Sequence, residues 1–236
     1  MMSADAEKKR RWAESVIRML DPSFRQRWDI YDGVLKRLTG PDARWLDAGC
    51  GKNIAVEEFP CALNVGLDRY RHPEVLSKTP VHFVMGDLES LPFRDGAFTL
   101  VSLNTVAEHI ADPEGVFAEI HRVLTPGGHV LIHTTNVLSP PVLFGRFLPE
   151  PVRMRIFRGF LGANEQDVFP AYHMLNTTGA FRRIQGFEVE EIHTVQDLNW
   201  TNRVVFLGLL AYHMVTKLPG LRRFRTNIIA LLRKER

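Results

Sequence analysis

The most informative segment of this chain reads Trp45-Leu46-Asp47-Ala48-Gly49-Cys50-Gly51. Its apolar first half predicts a buried strand, and its two glycines predict a tight turn in which no Cβ obstructs a ligand. A strand that runs into such a turn at the open end of an α/β sheet allows close approach of the backbone to a nucleotide-like ligand. We therefore expect residues 44–48 to form a strand whose carboxyl end lies at a binding site.

A second apolar run begins at Leu63 and ends in Asp68, about twenty residues after the glycine turn. An acidic side chain in that position can accept hydrogen bonds from both hydroxyls of a ribose, so an adenosine-containing cofactor is indicated. A dinucleotide fingerprint would need glycine or alanine at position 54, which is Ile54, and no phosphate-loop motif occurs. A nicotinamide-dependent oxidoreductase is therefore the weaker alternative.

Four further motifs follow in order along the chain. They are Val84 to Phe93, Phe98 to Ser102, Ala107 to Pro113, and Glu119 to Gly128. Together with the glycine turn they resemble the motifs of class I S-adenosylmethionine-dependent methyltransferases. The similarity covers roughly residues 44–136 and is greatest to the methyltransferase type 11 family, which includes enzymes that methylate quinone precursors. Asn53 stands where the family has its last glycine, and asparagine tolerates positive φ.

The resemblance implies an α/β fold with a Rossmann-like doubly wound seven-stranded sheet. This sheet would be mostly parallel, with an antiparallel final strand and helical lid insertions. The apolar runs predict strands near 44–48, 63–67, 81–85, 97–103, 128–135 and 186–192, and the resemblance implies a final strand near 227–232. Helices are predicted at 113–124 and 177–184, with two more within 11–38, and Pro126-Gly127-Gly128 is predicted to turn the chain into the fifth strand.

We expect one methyltransferase domain spanning residues 1–236, since 236 residues with 45% hydrophobic content can bury a full core. Its parts would be N-terminal helices (1–40), the cofactor-binding core (41–136), a substrate lid (137–176) and a C-terminal part of the core (177–236) with an apolar and basic helical insertion at about 200–225. The lid is rich in Phe and Arg. This composition suits an aromatic or lipophilic acceptor that carries a carboxylate or phosphate.

The cofactor implied by the resemblance is S-adenosyl-L-methionine (SAM). Nine residues would bind it: Asp47, Gly49, Cys50, Gly51, Asp68, Arg69, Asp87, Leu88 and Asn104. By resemblance, Asp47 and the glycines would line the methionine moiety, and Asp68 would hold the ribose. Asp87 and the Leu88 backbone would contact the adenine edge, and Asn104 would approach the methionine amino group. Helix capping by Asp47 and Asp87, and glycines that serve only as turns, remain the alternatives.

His109 is the candidate catalytic base, because an imidazole that titrates near neutrality can accept a proton from a phenol or hydroxyl. Its alternative role is to orient its loop through a hydrogen bond. Candidate contacts to the acceptor are the aromatic and imidazole side chains Trp28, Tyr31, Tyr172 and His173, for which packing or capping is the alternative.

Metal binding is not predicted. Some relatives hold a divalent cation through a Glu-x-x-Glu-His motif, but Thr105 occupies the first glutamate position here, which leaves Glu108 and His109. His129 and His133 lie four residues apart on a predicted strand without a third ligand at metal-site spacing. We interpret both as core or surface residues.

The charge of the chain is concentrated toward its end. Residues 203–236 contain eight basic residues against Glu235 and carry +7, whereas the whole chain carries +3 and the rest −4. The apolar run from Val204 to Val215 is shorter than the ~20 residues that span a bilayer. Either this run packs on the sheet, or it docks peripherally on an anionic membrane. Nucleic-acid binding is not expected, because no recognition module is present.

Cys50 and Cys61 are too few for a disulfide framework, and residues 1–11 lack the apolar core of a signal peptide. We therefore expect a cytoplasmic protein, with peripheral contact at the inner membrane face if the tail docks there. The predicted activity is SAM-dependent methylation of a small-molecule acceptor, with oxygen favoured. A non-catalytic SAM- or lipid-binding module of the same fold is the alternative, because fold alone does not guarantee chemistry.

Overall fold

The computed structural model of the chain describes residues 4–52, 59–71, 82–145, 171–200 and 202–235. Seven strands form one sheet: β1 (Arg44–Ala48), β2 (Leu63–Asp68), β3 (His82–Met85), β4 (Phe98–Asn104), β5 (Leu124–Thr135), β6 (Phe187–Val195) and β7 (Asn227–Lys234). Their order is β3-β2-β1-β4-β5-β7-β6. β1 to β5 pair in parallel, and β7 is antiparallel to both of its neighbours. The predicted seven-stranded sheet with an antiparallel final strand is confirmed.

Helices accompany the strands. They are α1 (Ala4–Leu20), α2 (Arg27–Leu38), α3 (Pro113–Val123), α4 (Pro140–Gly145), α5 (Thr178–Phe181) and α6 (Arg203–Thr216), with 3-10 helices at Ala107–His109 and Arg222–Phe224. The start of α3 follows from its sequence, because the Asp112 side chain accepts a hydrogen bond from Gly115 N and Pro113 occupies the first turn.

Both faces of the sheet are covered, because successive residues of a strand point to opposite sides. On one face, Val101 and Leu103 of β4 pack in the same cluster as Ile120 of α3. On the other face, Leu100 of β4 packs with Leu35 of α2. The sheet is therefore doubly wound, and α2 lies over the face that carries Leu100.

A separate apolar cluster lies outside these two layers. It joins Ala13 and Ile17 of α1 to Phe206 and Leu210 of α6. Asp21, just after α1, strengthens this contact, because His213 Nε2 lies 2.8 Å from its Oδ2 and Lys217 Nζ lies 2.8 Å from its Oδ1. The predicted insertion is thus a helix that packs largely on α1.

Several predicted boundaries are wrong. α1 begins at Ala4, seven residues before the predicted helical region, and β6 extends to Val195, three residues past its predicted end. β5 begins at Leu124, four residues before the predicted start, because Leu124 pairs with Phe98 and the Pro126-Gly127-Gly128 segment forms an irregularity inside the strand. The helix predicted for 177–184 is the four-residue α5, because Thr177 caps it and Gly186 at φ 76° turns the chain against His121.

The predicted lid is described at its two ends. α4 supplies one of the expected short helices, and residues 171–176 return the chain toward α5. The lid arginines Arg146, Arg153, Arg155 and Arg158 lie outside the described residues.

Candidate functional site

The site is built on the carboxyl ends of β1 and β2. The backbone N–H groups of Gly49 and Cys50 donate to the Leu67 carbonyl at 2.7 and 3.1 Å, which folds the turn back over β2. Gly51 N then donates to Asp68 Oδ2 at 2.8 Å. The turn after β1 and the carboxylate after β2 therefore form one unit, as the sequence predicted from their separate positions.

The two glycines of the turn serve different purposes. Both have positive φ, 77° at Gly49 and 56° at Gly51. A Cβ at Gly49 would lie 2.4 Å from Val106 Cγ2, whereas a Cβ at Gly51 would meet no atom of the described residues within 4 Å. Gly49 is thus required by packing, and the described residues leave space at Gly51 beside Asp68.

Asp68 keeps acceptor capacity beside this turn. Its Oδ1 accepts a hydrogen bond from Tyr70 N at 3.0 Å and its Oδ2 accepts the one from Gly51. Each carboxylate oxygen can accept more than one hydrogen bond. Asp68 can therefore receive hydroxyl donors while it holds the turn.

Asp87 lies beyond the end of β3, with Gly86 N donating to the Asp68 carbonyl at 3.1 Å. Arg69 Nη2 donates to Asp87 Oδ2 at 2.6 Å, and Glu89 N donates to Asp87 Oδ1 at 3.1 Å. Burial alone would raise the pKa of Asp87, but the hydrogen bonds from Glu89 and Arg69 outweigh it and lower the pKa. An ionised carboxylate at this position can accept a hydrogen bond from an adenine amino group. Leu88 packs against the main core.

Asp47 is enclosed beneath the turn. Trp45 Nε1 donates to Ser102 Oγ at 2.8 Å, and Ser102 Oγ donates to Asp47 Oδ1 at 2.6 Å. Burial is the main cause that raises the pKa of Asp47 to about 6; Ser102 opposes this shift and Asp68 adds to it. Burial also raises the pKa of the Cys50 thiol, with Asp47 and Asp68 adding to the shift, so this thiol is protonated at neutral pH.

Asn104 ends β4 beside His133 of β5, its partner in the strand register. His133 Nδ1 lies 2.7 Å from Asn104 Oδ1, and His133 Nε2 lies 3.2 Å from Asn227 Oδ1. Burial, assisted by Arg27, lowers the pKa of His133 to about 4, so the ring is neutral at pH 7. His133 positions Asn104 directly, and sequence reasoning missed this role. The contact follows from the pairing of β4 with β5, which places position 104 opposite position 133.

Two of the predicted acceptor contacts, Trp28 and Tyr31, lie over this pair. The Trp28 ring centroid is 5.5 Å from that of His133, and the Tyr31 centroid is 6.1 Å from it. Trp28 is 41% exposed, whereas Tyr31 is buried. Burial raises the pKa of Tyr31, with the Asp47 carboxylate adding to the shift. Trp28 therefore keeps part of its ring exposed beside His133, whereas Tyr31 is packed against both rings.

The other two predicted contacts, Tyr172 and His173, lie against the segment that carries His109. Their backbone N–H groups donate to the Glu108 carbonyl at 2.8 and 3.2 Å. Thr105, at φ 58°, and His173, at φ 55°, are the non-glycine residues with positive φ within the described ranges. Such strain costs about 1–3 kcal/mol per residue and clusters at functional sites. The backbone of Tyr172 and His173 is thus held beside the segment that carries His109, more than sixty residues earlier in the chain.

Glu108 and His109 form the 3-10 helix after β4. The buried Glu108 side chain accepts a hydrogen bond from Thr134 Oγ1 at 2.7 Å, and Asn176 Nδ2 donates to the same Thr134 oxygen at 2.8 Å. Glu108 therefore connects this helix to β5 and to the end of the predicted lid. No cluster of three metal-binding side chains occurs in the part of the chain that the structure describes.

The sequence and the fold are similar to those of known methyltransferases. Residues 40–132 match a family described as "Methyltransferase domain". A ubiquinone/menaquinone biosynthesis C-methyltransferase of Acidiphilium cryptum is 34% identical over 121 residues, which cover 50% of this chain and 46% of that protein. A malonyl-[acyl-carrier protein] O-methyltransferase of Erwinia billingiae is 28% identical over 166 residues, which cover 60% of this chain and 66% of that protein. The chain thus spans about half to two thirds of the length of these relatives.

The solved structures agree in fold. A crystal structure of an S-adenosylmethionine-dependent methyltransferase from Mesorhizobium loti superposes with a TM-score of 0.55 at 17% sequence identity. The match covers 88% of this chain and 97% of that one. Residues 40–132 of the chain are therefore similar to a methyltransferase domain, and the chain has the fold of S-adenosylmethionine-dependent methyltransferases.

Proposed function

We propose that this chain binds SAM at the carboxyl ends of β1, β2 and β3 and transfers its methyl group to a small-molecule acceptor, with oxygen favoured as the methylated atom. The observation that carries the proposal is the space that the described residues leave at Gly51, which lies beside Asp68 and one strand away from the ionised Asp87. This arrangement offers acceptors to a ribose and to an adenine amino group, and it lacks the third glycine of a pyrophosphate site.

When bound, SAM supplies a methyl group that is already electrophilic because its sulfur is positively charged. The chain therefore needs mainly to hold the reactants in place and to exclude water. Asp68 would bind the ribose and Asp87 the adenine edge. Asn104 would accept a hydrogen bond from the methionine amino group, since its amide oxygen has a second lone pair besides the one that faces His133.

The acceptor would lie between α2 and the segment around His109. Trp28 offers a partly exposed aromatic ring on one side, and Tyr172 and His173 lie on the other. These side chains favour an aromatic or lipophilic acceptor. His109 would take the proton of an acceptor hydroxyl, which favours oxygen; the named relatives include both a C- and an O-methyltransferase.

Titration calorimetry with SAM, S-adenosylhomocysteine and NAD tests the cofactor. We expect the first two to bind and NAD to show no comparable affinity. Tight NAD binding without SAM binding would favour the oxidoreductase instead. Transfer of a labelled methyl group from SAM into small molecules of a cell extract then tests turnover, and SAM binding without any transfer would favour the non-catalytic alternative.

The role of His109 is tested with His109→Gln, assayed on an acceptor found in that screen. We expect kcat to fall on the order of 100-fold with an unchanged Kd for SAM, because a general base contributes to the chemical step alone. His129→Gln is the matched control, since His129 lies in the amino-terminal half of β5, where its Nε2 is 3.2 Å from Glu190 Oε2. Equal rates for the two variants would leave His109 with a structural role.

A further inference from the structure

α6 is apolar on two opposite sides. Its residues 204–216 include no Asp, Glu, Lys or Arg. One side packs against α1 through Phe206 and Leu210. The opposite side carries seven exposed apolar residues at spacings of three and four: Val204, Leu207, Gly208, Ala211, Met214, Val215 and, just past the helix, Leu218. We call these seven residues the α6 apolar face.

The α6 apolar face is well exposed and has apolar neighbours. Val204 at one end is 80% exposed and Leu218 at the other is 56% exposed. Met19, at the end of α1, is 76% exposed. Asp21 lies two residues after Met19 and pairs with Lys217, the residue before Leu218. Met19 therefore lies at the same end of the α1–α6 helix pair as Leu218. Exposed patches of this kind, bordered by polar residues, mark interaction sites.

Basic residues stand at both ends of the α6 apolar face. Arg203 begins the helix, and the exposed Arg222 and Arg223 follow it in the next 3-10 helix. No acidic residue occurs between Asp197 and Glu235. The basic residues of the C-terminal region do not all lie beside the α6 apolar face. Lys234 lies at the far end of β7, where it donates to the carbonyls of His121 and Leu124.

We propose that the α6 apolar face lies on the surface of a bilayer that contains anionic lipid. A helix that presents apolar side chains with arginines beside them can bury those side chains at the headgroup boundary while its cations meet lipid phosphates. The helix would lie in the plane of the surface. No helix in the described ranges is both long and apolar enough to cross a membrane.

Charge favours a bilayer over a second copy of the chain. In a twofold dimer the same surface of each copy forms the interface. The arginines of one copy, Arg203, Arg222 and Arg223, would then lie close to the same set of arginines of the other copy. Like charges brought together in this way oppose association. An anionic bilayer supplies the opposite charge at both ends of the face at once.

The location of the face gives it a relation to the candidate site. Asn136, which follows β5, donates through Nδ2 to the carbonyls of Arg223 and Arg225, both at 2.7 Å. The basic 3-10 helix is thereby held at the sheet edge where His133 contacts Asn227. Lipid phosphates that bind Arg222 and Arg223 would therefore contact a segment that is hydrogen-bonded to the residue after β5. The inference does not rest on methyl transfer, because membrane binding is measured without a cofactor.

Vesicle co-sedimentation of the full chain tests this proposal. The probes are vesicles of phosphatidylcholine alone and vesicles with about 30% phosphatidylglycerol. We expect binding to the anionic vesicles at low salt and at least about tenfold weaker binding to the neutral ones. We expect Leu207→Glu and Val215→Glu each to weaken binding at least about tenfold, since a carboxylate cannot enter the interface.

Matched variants control for charge and folding. Ala118→Glu adds the same charge on the exposed side of α3 and is expected to bind like the parent chain. Arg222→Gln with Arg223→Gln should weaken binding more than Arg182→Gln with Arg183→Gln, which removes two exposed arginines after α5. Equal binding of Leu207→Glu and Ala118→Glu, with both variants folded by circular dichroism, would overturn the proposal. So would an absence of binding at low salt, or a dimer in analytical ultracentrifugation that Leu207→Glu dissociates.

Discussion

The carboxyl group of Asp47 makes the stability of the fold depend on pH. Its folded pKa of about 6 lies above the value of about 3.9 for an unfolded aspartate. The folded state therefore holds the proton more tightly, and stability is lost as pH rises from about 4 to about 6. Below that window both states are protonated, and above it the loss is complete.

Asp47→Asn should remove this pH dependence. We expect the variant to gain stability over the parent chain by on the order of 2 kcal/mol between pH 4 and pH 7, because a neutral amide is not penalised by burial. Urea unfolding at the two pH values measures the change. Asp42→Asn, in the exposed turn before β1, is the control. The raised pKa of Asp47 would be contradicted if the free energy of unfolding of Asp47→Asn differed from that of the parent chain by the same amount at both pH values.

Asp68 is predicted to contribute directly to cofactor affinity. Asp68→Ala should weaken SAM binding by about 1–3 kcal/mol, because the hydrogen bonds to the ribose are lost together with the one that orients Gly51. Calorimetry measures the change, and Asp42→Ala should bind SAM like the parent chain. An unchanged affinity for Asp68→Ala would remove the ribose role from this residue.

At the scale of single residues, the sequence identifies those candidate site residues that lie at strand ends within local motifs. Asp68 and Gly51 are recognisable because a strand, a glycine turn and an acidic residue recur at a known spacing. The contact between His133 and Asn104 is not recognisable in this way. It depends on which strands are neighbours and on their register, and neither is encoded in a local stretch of sequence.

At the scale of elements, the turn between β1 and β2 contains two glycines that are needed for different reasons, and the sequence alone does not distinguish these reasons. Gly49→Ala should destabilise the chain by about 2–4 kcal/mol, since its Cβ would lie 2.4 Å from Val106 Cγ2 in addition to the backbone strain. Gly51→Ala should cost only about 1 kcal/mol of stability from positive φ.

For SAM affinity we expect the opposite order. Gly51→Ala should weaken SAM binding more than Gly49→Ala, because a Cβ at Gly51 would enter the space that the described residues leave beside Asp68. Chemical denaturation and calorimetry on both variants measure the two effects. If Gly51→Ala bound SAM like the parent chain, the space beside Asp68 would not be the cofactor site.

Element types could be predicted better than element ends. The apolar runs predict the first six strands, because each carries residues suited to a buried pleated surface, and the seventh was implied by the resemblance. The early start of β5 depends on the pairing of Leu124 with Phe98, which lies 26 residues earlier in the chain. The shortness of α5 likewise reflects the turn at Gly186 against His121 of α3, a tertiary contact.

At the scale of the molecule, the helix pair α1 and α6 is a unit apart from the sheet. Its cluster shares no residue with the two clusters that cover the sheet. Small clusters of this kind open locally at lower free energy than the main core. We therefore expect faster hydrogen exchange in α1 and α6 than in β1, β4 and β5.

Phe206→Ala tests this independence. Phe206 is fully buried against Trp12, with ring centroids 5.3 Å apart, so its loss should cost about 3–5 kcal/mol locally. Hydrogen exchange in α1 and α6 should accelerate while β4 and β5 keep their protection. Phe181→Ala, equally buried in the main core, should instead lower protection in the sheet. Uniform acceleration in Phe206→Ala would show one cooperative unit.

The doubly wound seven-stranded architecture was predicted through resemblance to a family, because composition and periodicity give strands without their order. The position of β7 between β5 and β6 was not predicted, since nothing in residues 227–232 specifies those neighbours. The exposure of the α6 apolar face also could not be predicted, because an entirely apolar helix gives no sign of which side will be covered.

The antiparallel β7 has a consequence for biosynthesis. It is made last of the seven strands, yet it fills the position between β5 and β6 and brings Asn227 to His133, 94 residues earlier in the chain. While the ribosome is still extending the polypeptide, β5 has an uncovered edge and the histidine lacks one partner. Nascent chains that stall before residue 227 would therefore expose a hydrophobic strand edge, the kind of surface that chaperones shield and that aggregates form on.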